Sequence, residues 1–131
     1  DVLSLRDRFS VSTFDLVTAN PPYRKPGAGK ISPKAGRDLA RHESTAGLAD
    51  FLIMAKYLVK PLGRICFIYH TSRLADCLAE AARLSLNPAR LRFVHWSAEA
   101  EARMFMVEML KDRRRELTVL PPCLISSGDD C

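Results

Sequence analysis

The sequence predicts an α/β fold built on a mostly parallel sheet with an antiparallel edge strand. Three observations carry that prediction. Apolar runs of strand length alternate with segments of helical periodicity, in the order strand, loop, helix, strand, helix, strand, strand. Strands separated by helices imply crossover connections and hence parallel pairing. The last two strands are joined only by the Ser97–Arg103 link, too short for a crossover, which points to an antiparallel edge. Composition is that of a globular domain: 131 residues, 47% hydrophobic and 27% charged.

The elements follow in order. Phe14–Ala19 is an apolar run interrupted only by Asp15 and Thr18, and it stops at Asn20-Pro21-Pro22-Tyr23. Two prolines end a strand because neither can donate to a ladder and each restricts the residue before it. Arg24 to Glu43 shows no apolar period and is punctuated by Pro26, Gly27, Gly29, Pro33 and Gly36, which predicts a long loop. Loops of about 20 residues are uncommon and usually functional. Leu48, Phe51, Leu52, Ala55 and Val59 recur at helical spacing, with Ser44 or Thr45 as cap and Pro61-Leu62-Gly63 as stop. Arg64–His70, rich in β-branched and aromatic residues, predicts a strand. A second helix is expected after a Thr71 or Ser72 cap, with Leu74, Leu78, Ala81 and Ala82 on one face and Asn87-Pro88 ending it. Leu91–Trp96 and Met104–Leu110 predict two further strands, and Leu117–Leu120 a short last one. The polar tail from Ser126 is expected to fray, which leaves 1–125 as the domain and 126–131 outside it.

Net charge is +5, from 20 Lys and Arg against 15 Asp and Glu. Six of the cations, Arg24, Lys25, Lys30, Lys34, Arg37 and Arg41, fall in the long loop with only Asp38 opposing them, which suggests an anionic partner such as nucleic acid. A second cluster, Lys111 with Arg113, Arg114 and Arg115, reads as a solvated turn. No apolar run approaches the roughly 18 residues that span a bilayer, so no membrane helix is expected. The opening Asp-Val-Leu-Ser has neither a signal-peptide pattern nor an initiator methionine, and the sequence is expected to begin inside a longer protein. Cys66, Cys77, Cys123 and Cys131 contain no Cys-x-x-Cys pair, and His42, His70 and His95 lack ligand spacing. Reduced thiols in a cytoplasmic protein, without a metal, are the expectation.

The tetrapeptide Asn20-Pro21-Pro22-Tyr23 carries the chemistry. An exocyclic amine such as N6 of adenine is a poor nucleophile because its lone pair is delocalised into the ring. Two acceptors on its hydrogens draw the nitrogen toward tetrahedral geometry and return the lone pair to it. Asn20 Oδ1 can supply one and the Pro21 carbonyl the other. The prolines fix the backbone so that both acceptors are preorganised. Tyr23 offers a face on which a flat base or amide can stack.

On these residues the sequence resembles the class I S-adenosylmethionine-dependent amino-methyltransferases, which share a [D/N/S]-P-P-[Y/F/W] motif. It is most similar to the bacterial tRNA(Val) adenine-N6 methyltransferases. That narrower likeness rests on Phe14-Asp15-Leu16-Val17, Gly27-x-Gly29, Ser32-Pro33, Arg37, Ala40-Arg41-His42-Glu43, Lys60-Pro61-Leu62-Gly63-Arg64, Leu91-Arg92-Phe93-Val94-His95 and Leu120-Pro121-Pro122. The resemblance implies the C-terminal portion of a Rossmann-like methyltransferase sheet. It also implies S-adenosylmethionine as cofactor and RNA, in particular tRNA, as partner. Asn20, Pro21, Pro22 and Tyr23 would be catalytic, and Asp1 and Asn20 would touch the cofactor. Arg24, Lys25, Lys30, Lys34, Arg37 and Arg41 would bind RNA phosphates. The Gly-rich first motif and the ribose-binding acidic residue of such enzymes are absent from the sequence, so the fragment is expected to be inactive alone. Trp96 and the Ala98–Arg103 link depart from the family pattern.

The alternatives are a protein glutamine-N5 methyltransferase, whose amide substrate the same tetrapeptide would polarise, a DNA adenine methyltransferase, and a non-catalytic RNA-binding remnant. Gly27-Ala28-Gly29-Lys30 fails the phosphate-loop pattern at positions 24 and 31. His42-Glu43 reads as a helix entry, and Met104, Met106 and Met109 as packing residues.

Overall fold

The computed structural model describes residues 1–21 and 47–127. A short 3-10 helix, Val2–Asp7, opens the chain and is capped by Asp1. Strand β1 is Phe14–Ala19, as the apolar run predicts. Helix α1 covers 47–58 and runs directly into β2, Val59–His70. A 3-10 turn, Thr71–Arg73, leads into α2, Leu74–Arg83, then β3, Leu86–His95, and β4, Ala102–Lys111. Two short strands, β5 at Thr118–Val119 and β6 at Cys123–Leu124, lead to a last described 3-10 turn, Ile125–Ser127. Ser126 is therefore held in a turn where a frayed tail was expected to begin.

The strands form one sheet in the order β1-β2-β4-β3-β5, with β6 also pairing β3. β1 and β2 are parallel, as are β3 with β5 and β3 with β6, while β4 runs antiparallel to both β2 and β3. The sheet is therefore mostly parallel with one reversed strand among those described. Its place corrects the expected edge: β4 is hydrogen-bonded on both sides. A short link requires its two strands to be antiparallel neighbours, and nothing in that requirement stops β4 from pairing with β2 as well.

Both helices pack on one face. Leu48, Leu52 and Ala55 of α1, with Cys77 and Ala81 of α2, enclose Ile65, Phe67, Leu91, Phe105, Val107 and Met109 of the sheet. Val17 and Ala19 extend that core onto β1. Alternation places Leu16 and Thr18 on the opposite face, beside Arg64 and Cys66 of β2. The α2 stripe differs from the expected one: Cys77 and Ala81 are buried and Ala82 is exposed.

Several expected boundaries move, among them the starts of β2, at Val59 rather than Arg64, and of β3, at Leu86 rather than Leu91, with Trp96 just outside β3. Pro61-Leu62-Gly63 does not end α1, which stops at residue 58, but lies inside an irregular start of β2. There the register jumps from Phe14↔Val59 to Leu16↔Arg64. Leu62 takes a left-handed φ of 67°. A Cβ at Gly63 would lie 2.8 Å from the Lys60 carbonyl and 3.0 Å from the Asp15 carbonyl of β1, so only glycine allows this approach. Helix α2 ends at Arg83 because Ser85 turns left-handed at φ 58°, not at Asn87-Pro88. Pro88 sits in β3 beside a bulge, before β5 joins, where a missing N–H is tolerated. The expected Thr71 or Ser72 cap does not start α2. Both lie in the 3-10 turn, which His70 caps through Nδ1 accepting from the Ser72 N–H at 3.1 Å. The N-cap position of α2 is Arg73, which makes no side-chain cap bond.

Cys66 and Cys77 are free thiols, and burial pushes the Cys77 thiol up to about 12. Cys123 is disulfide-bonded, which corrects the expectation of reduced thiols throughout. Pairing depends on how closely two Cβ atoms approach in space, which sequence spacing does not reveal.

Candidate active site

In parallel sheets ligands bind beyond the carboxyl ends of the strands. Asn20 and Pro21 leave β1 at that end, and Ala19 pairs with Phe67 just before them. Pro21 is buried and anchors the backbone, while Asn20 is exposed. No hydrogen bond to the Asn20 carboxamide occurs among the described residues, so its oxygen is open to a donor from a ligand. Local sequence explains this display. Val17 and Ala19 tie β1 into the core, and buried Pro21, which has no N–H to give a ladder, follows Asn20 where the strand has ended.

The same end of the sheet gathers residues that sequence reasoning did not single out. His70 ends β2, and its Nδ1 accepts from Ser72 Oγ at 2.8 Å as well as from the backbone N–H. Thr71 Oγ1 donates to the carbonyls of Ala102 at 3.1 Å and Arg103 at 3.2 Å, stitching the end of β2 to the start of β4. His95 Nδ1 donates to the Ala100 carbonyl at 2.7 Å and closes the turn between β3 and β4. Neither contact was legible, because each joins segments about 31 and 5 residues apart through side chains that carry no motif.

The other expected site residues divide in two. Asp1 lies at the head of the first 3-10 helix, where its Oδ1 accepts from the Leu3 N–H at 3.1 Å. No hydrogen bond or ion pair among the described residues joins it to Asn20. Pro22, Tyr23, Arg24, Lys25, Lys30, Lys34, Arg37 and Arg41 lie outside the described residues. Arg113 and Arg114 of the second cationic cluster line a cavity of about 510 Å³ with Leu78, Ala82 and Pro88. That cavity opens at the start of β3, the end of the sheet opposite Asn20, so it is not part of this site. Among the described residues no group of three or more His, Cys, Asp or Glu is arranged to hold a metal ion. No described helix is long and apolar enough to cross a membrane.

No protein-family model matches the chain. Over 105 residues, 80% of its length, it is 32% identical to the tRNA1(Val) (adenine(37)-N6)-methyltransferase of Porphyromonas gingivalis, covering 40% of that protein. The protein of the same name from Parabacteroides distasonis is 29% identical over 96 residues, 73% of this chain and 40% of its own. Among solved structures, a predicted O-methyltransferase of Agrobacterium tumefaciens matches 98% of the chain over 54% of its own, with a TM-score of 0.69 and 19% identity. A Thermus thermophilus protein assigned as a DNA modification methylase, solved with S-adenosyl-L-methionine, matches 86% of the chain over 54% of its own, with a TM-score of 0.56 and 15% identity. The fold is the one seen in these methyltransferase structures. In sequence the chain is similar to proteins named tRNA1(Val) (adenine(37)-N6)-methyltransferase. It spans about 40% of the length of these curated relatives.

Proposed function

We propose that this chain is the C-terminal portion, residues 1–125, of an S-adenosylmethionine-dependent methyltransferase domain that acts on the N6 amine of adenine in tRNA. The observation that carries the reading is the open Asn20 carboxamide beside buried Pro21 at the carboxyl end of β1, in a chain related to enzymes of that name. A cytoplasmic location goes with that substrate.

The residues present fit the cofactor in part. Asn20 has a free acceptor at the strand end, but the Asp1 carboxylate already caps a 3-10 helix with one oxygen, leaving the other for a ligand. When bound, S-adenosylmethionine would supply the methyl group as an electrophile. The chain's own residues prepare the nucleophile. Asn20 Oδ1 and the Pro21 carbonyl accept the two N6 hydrogens, Tyr23 stacks on the base, and the Arg24–Arg41 cations hold the RNA phosphates.

The free edge of β1 supports the portion reading. β1 is terminal in the sheet order and pairs only with β2 among the described strands. An unpaired edge is a template for a further strand.

The test is methyl transfer from labelled cofactor to bulk tRNA. It is run with this chain alone and with the chain joined to the part of the Porphyromonas gingivalis relative that it does not match. Label is expected in N6-methyladenosine for the joined protein only, and Asn20→Ala should lower the rate roughly a hundredfold. Label in protein rather than RNA would replace this reading with glutamine methylation.

A further inference from the structure

Trp96 is the single tryptophan of the chain, and it stands 64% exposed directly after β3. Large aromatic side chains are rarely left in water without cause, since burying one is worth several times the thermal energy. Its backbone is nonetheless held from both sides. The Trp96 carbonyl accepts from the Ser126 N–H at 2.8 Å, just past the pairing of His95 with Leu124. On the other side the Ala100 N–H donates to the Ser97 carbonyl at 3.2 Å, and His95 Nδ1 donates to the Ala100 carbonyl. The ring is thus carried on a fixed turn and is exposed on a fixed base.

The turn lies at the carboxyl end of β3, and β3 points the same way as β1, so Trp96 and Asn20 share one end of the sheet. Three strand spacings separate β1 from β3, about 14 Å at 4.7–4.9 Å each. That is roughly four stacked nucleotides at 3.4 Å per step. Between them, at the start of β4, lies exposed Arg103, whose backbone Thr71 ties to β2.

We propose that Trp96 is a stacking platform for a nucleobase a few nucleotides from the adenine held at Asn20, with Arg103 set to meet the intervening phosphate. The inference rests on the RNA reading above and adds a specificity-determining residue to it. Exposed Glu99 and Glu101 on the same turn repel phosphate, so Trp96 contributes through the base face and not through charge.

The probe is a single-stranded oligoadenylate hexamer against an abasic hexamer of equal length, titrated into the 131-residue chain while Trp96 fluorescence is followed. The oligoadenylate should quench the emission and the abasic strand should bind without quenching. Trp96→Ala should weaken oligoadenylate affinity about tenfold, measured by anisotropy of a labelled strand, and Trp96→Phe should restore most of it. The slope of affinity against salt should not change, because stacking releases no counterions. Thermal unfolding of Trp96→Ala should match the parent, as an exposed side chain requires. Binding of oligoadenylate without quenching, or equal affinity in Trp96→Ala, overturns the platform and leaves the RNA reading standing. No binding of either strand overturns both.

Discussion

Phe67 and Ile68 are neighbours on β2 and live in different surroundings. Phe67 is 0% exposed, wedged between Phe51 and Tyr69 at ring distances of 6.5 and 5.9 Å. Ile68 is 38% exposed on the other face, paired across to Met106. The contrast holds for the whole sheet. One face carries both helices. The other carries Leu16, 48% exposed, and a polar set in which Glu108 accepts from Arg90 and from Arg64 at 3.5 Å. Arg92 Nε on that face is buried and has no hydrogen-bond partner among the described residues. Parallel sheets are normally covered on both faces. Among the described residues, this sheet is covered by helices on one face only.

The comparison predicts unequal mutational costs at adjacent positions. Phe67→Ala should lose about 3–5 kcal/mol, because a large ring leaves a cavity that the close-packed helices cannot fill. Ile68→Ala should lose under about 1 kcal/mol. Chemical denaturation of the two variants checks this, and equal losses would mean that the second face is covered after all.

A smaller effect marks the junction between helix and sheet on the covered side. Lys111 Nζ donates to the carbonyls of Lys56 and Val59 at 2.9 Å each, at the end of α1 where carbonyls lack helical partners. A cation there also meets the negative end of the helix dipole. Lys111→Met keeps the stem and removes the charge, and should cost about 2 kcal/mol by the same denaturation measurement. A loss below about 0.5 kcal/mol would show that water satisfies those carbonyls equally well.

Legibility followed the same division. β1 matched its expected bounds because an apolar run ended at two prolines, and both are local signals. The α1 face was legible from Leu48, Leu52 and Ala55 because their helical spacing matches what is buried. The α2 stripe was half legible. Cys77 took the core position, and nothing local distinguishes a buried thiol from an exposed alanine. What failed was long-range. The place of β4 between β2 and β3 depends on pairing across some 40 residues, which no local pattern encodes. At the site, Asn20 was legible from its tetrapeptide, whereas the supports at Thr71 and His95 have no motif to announce them.

The last and smallest effect belongs to the uncovered face. Arg90 hydrogen-bonds Glu108 and, with Arg64, holds its carboxyl below the usual carboxylate range, against burial that acts the other way. A carboxyl depressed in the folded state stabilises the fold above its unfolded value, near 4.3, and loses that contribution as pH falls through the folded value. Both arginines are partly in solvent, so screening keeps the contribution small against the Phe67 loss. Glu108→Gln should therefore lower the melting temperature slightly at pH 7. The gap to the parent should close progressively as the pH is taken below about 4. High salt at pH 7 should narrow it as well, because the face is open to ions. A gap independent of both pH and salt would mean that Glu108 acts through packing alone, and that this face is shielded from water in the isolated chain.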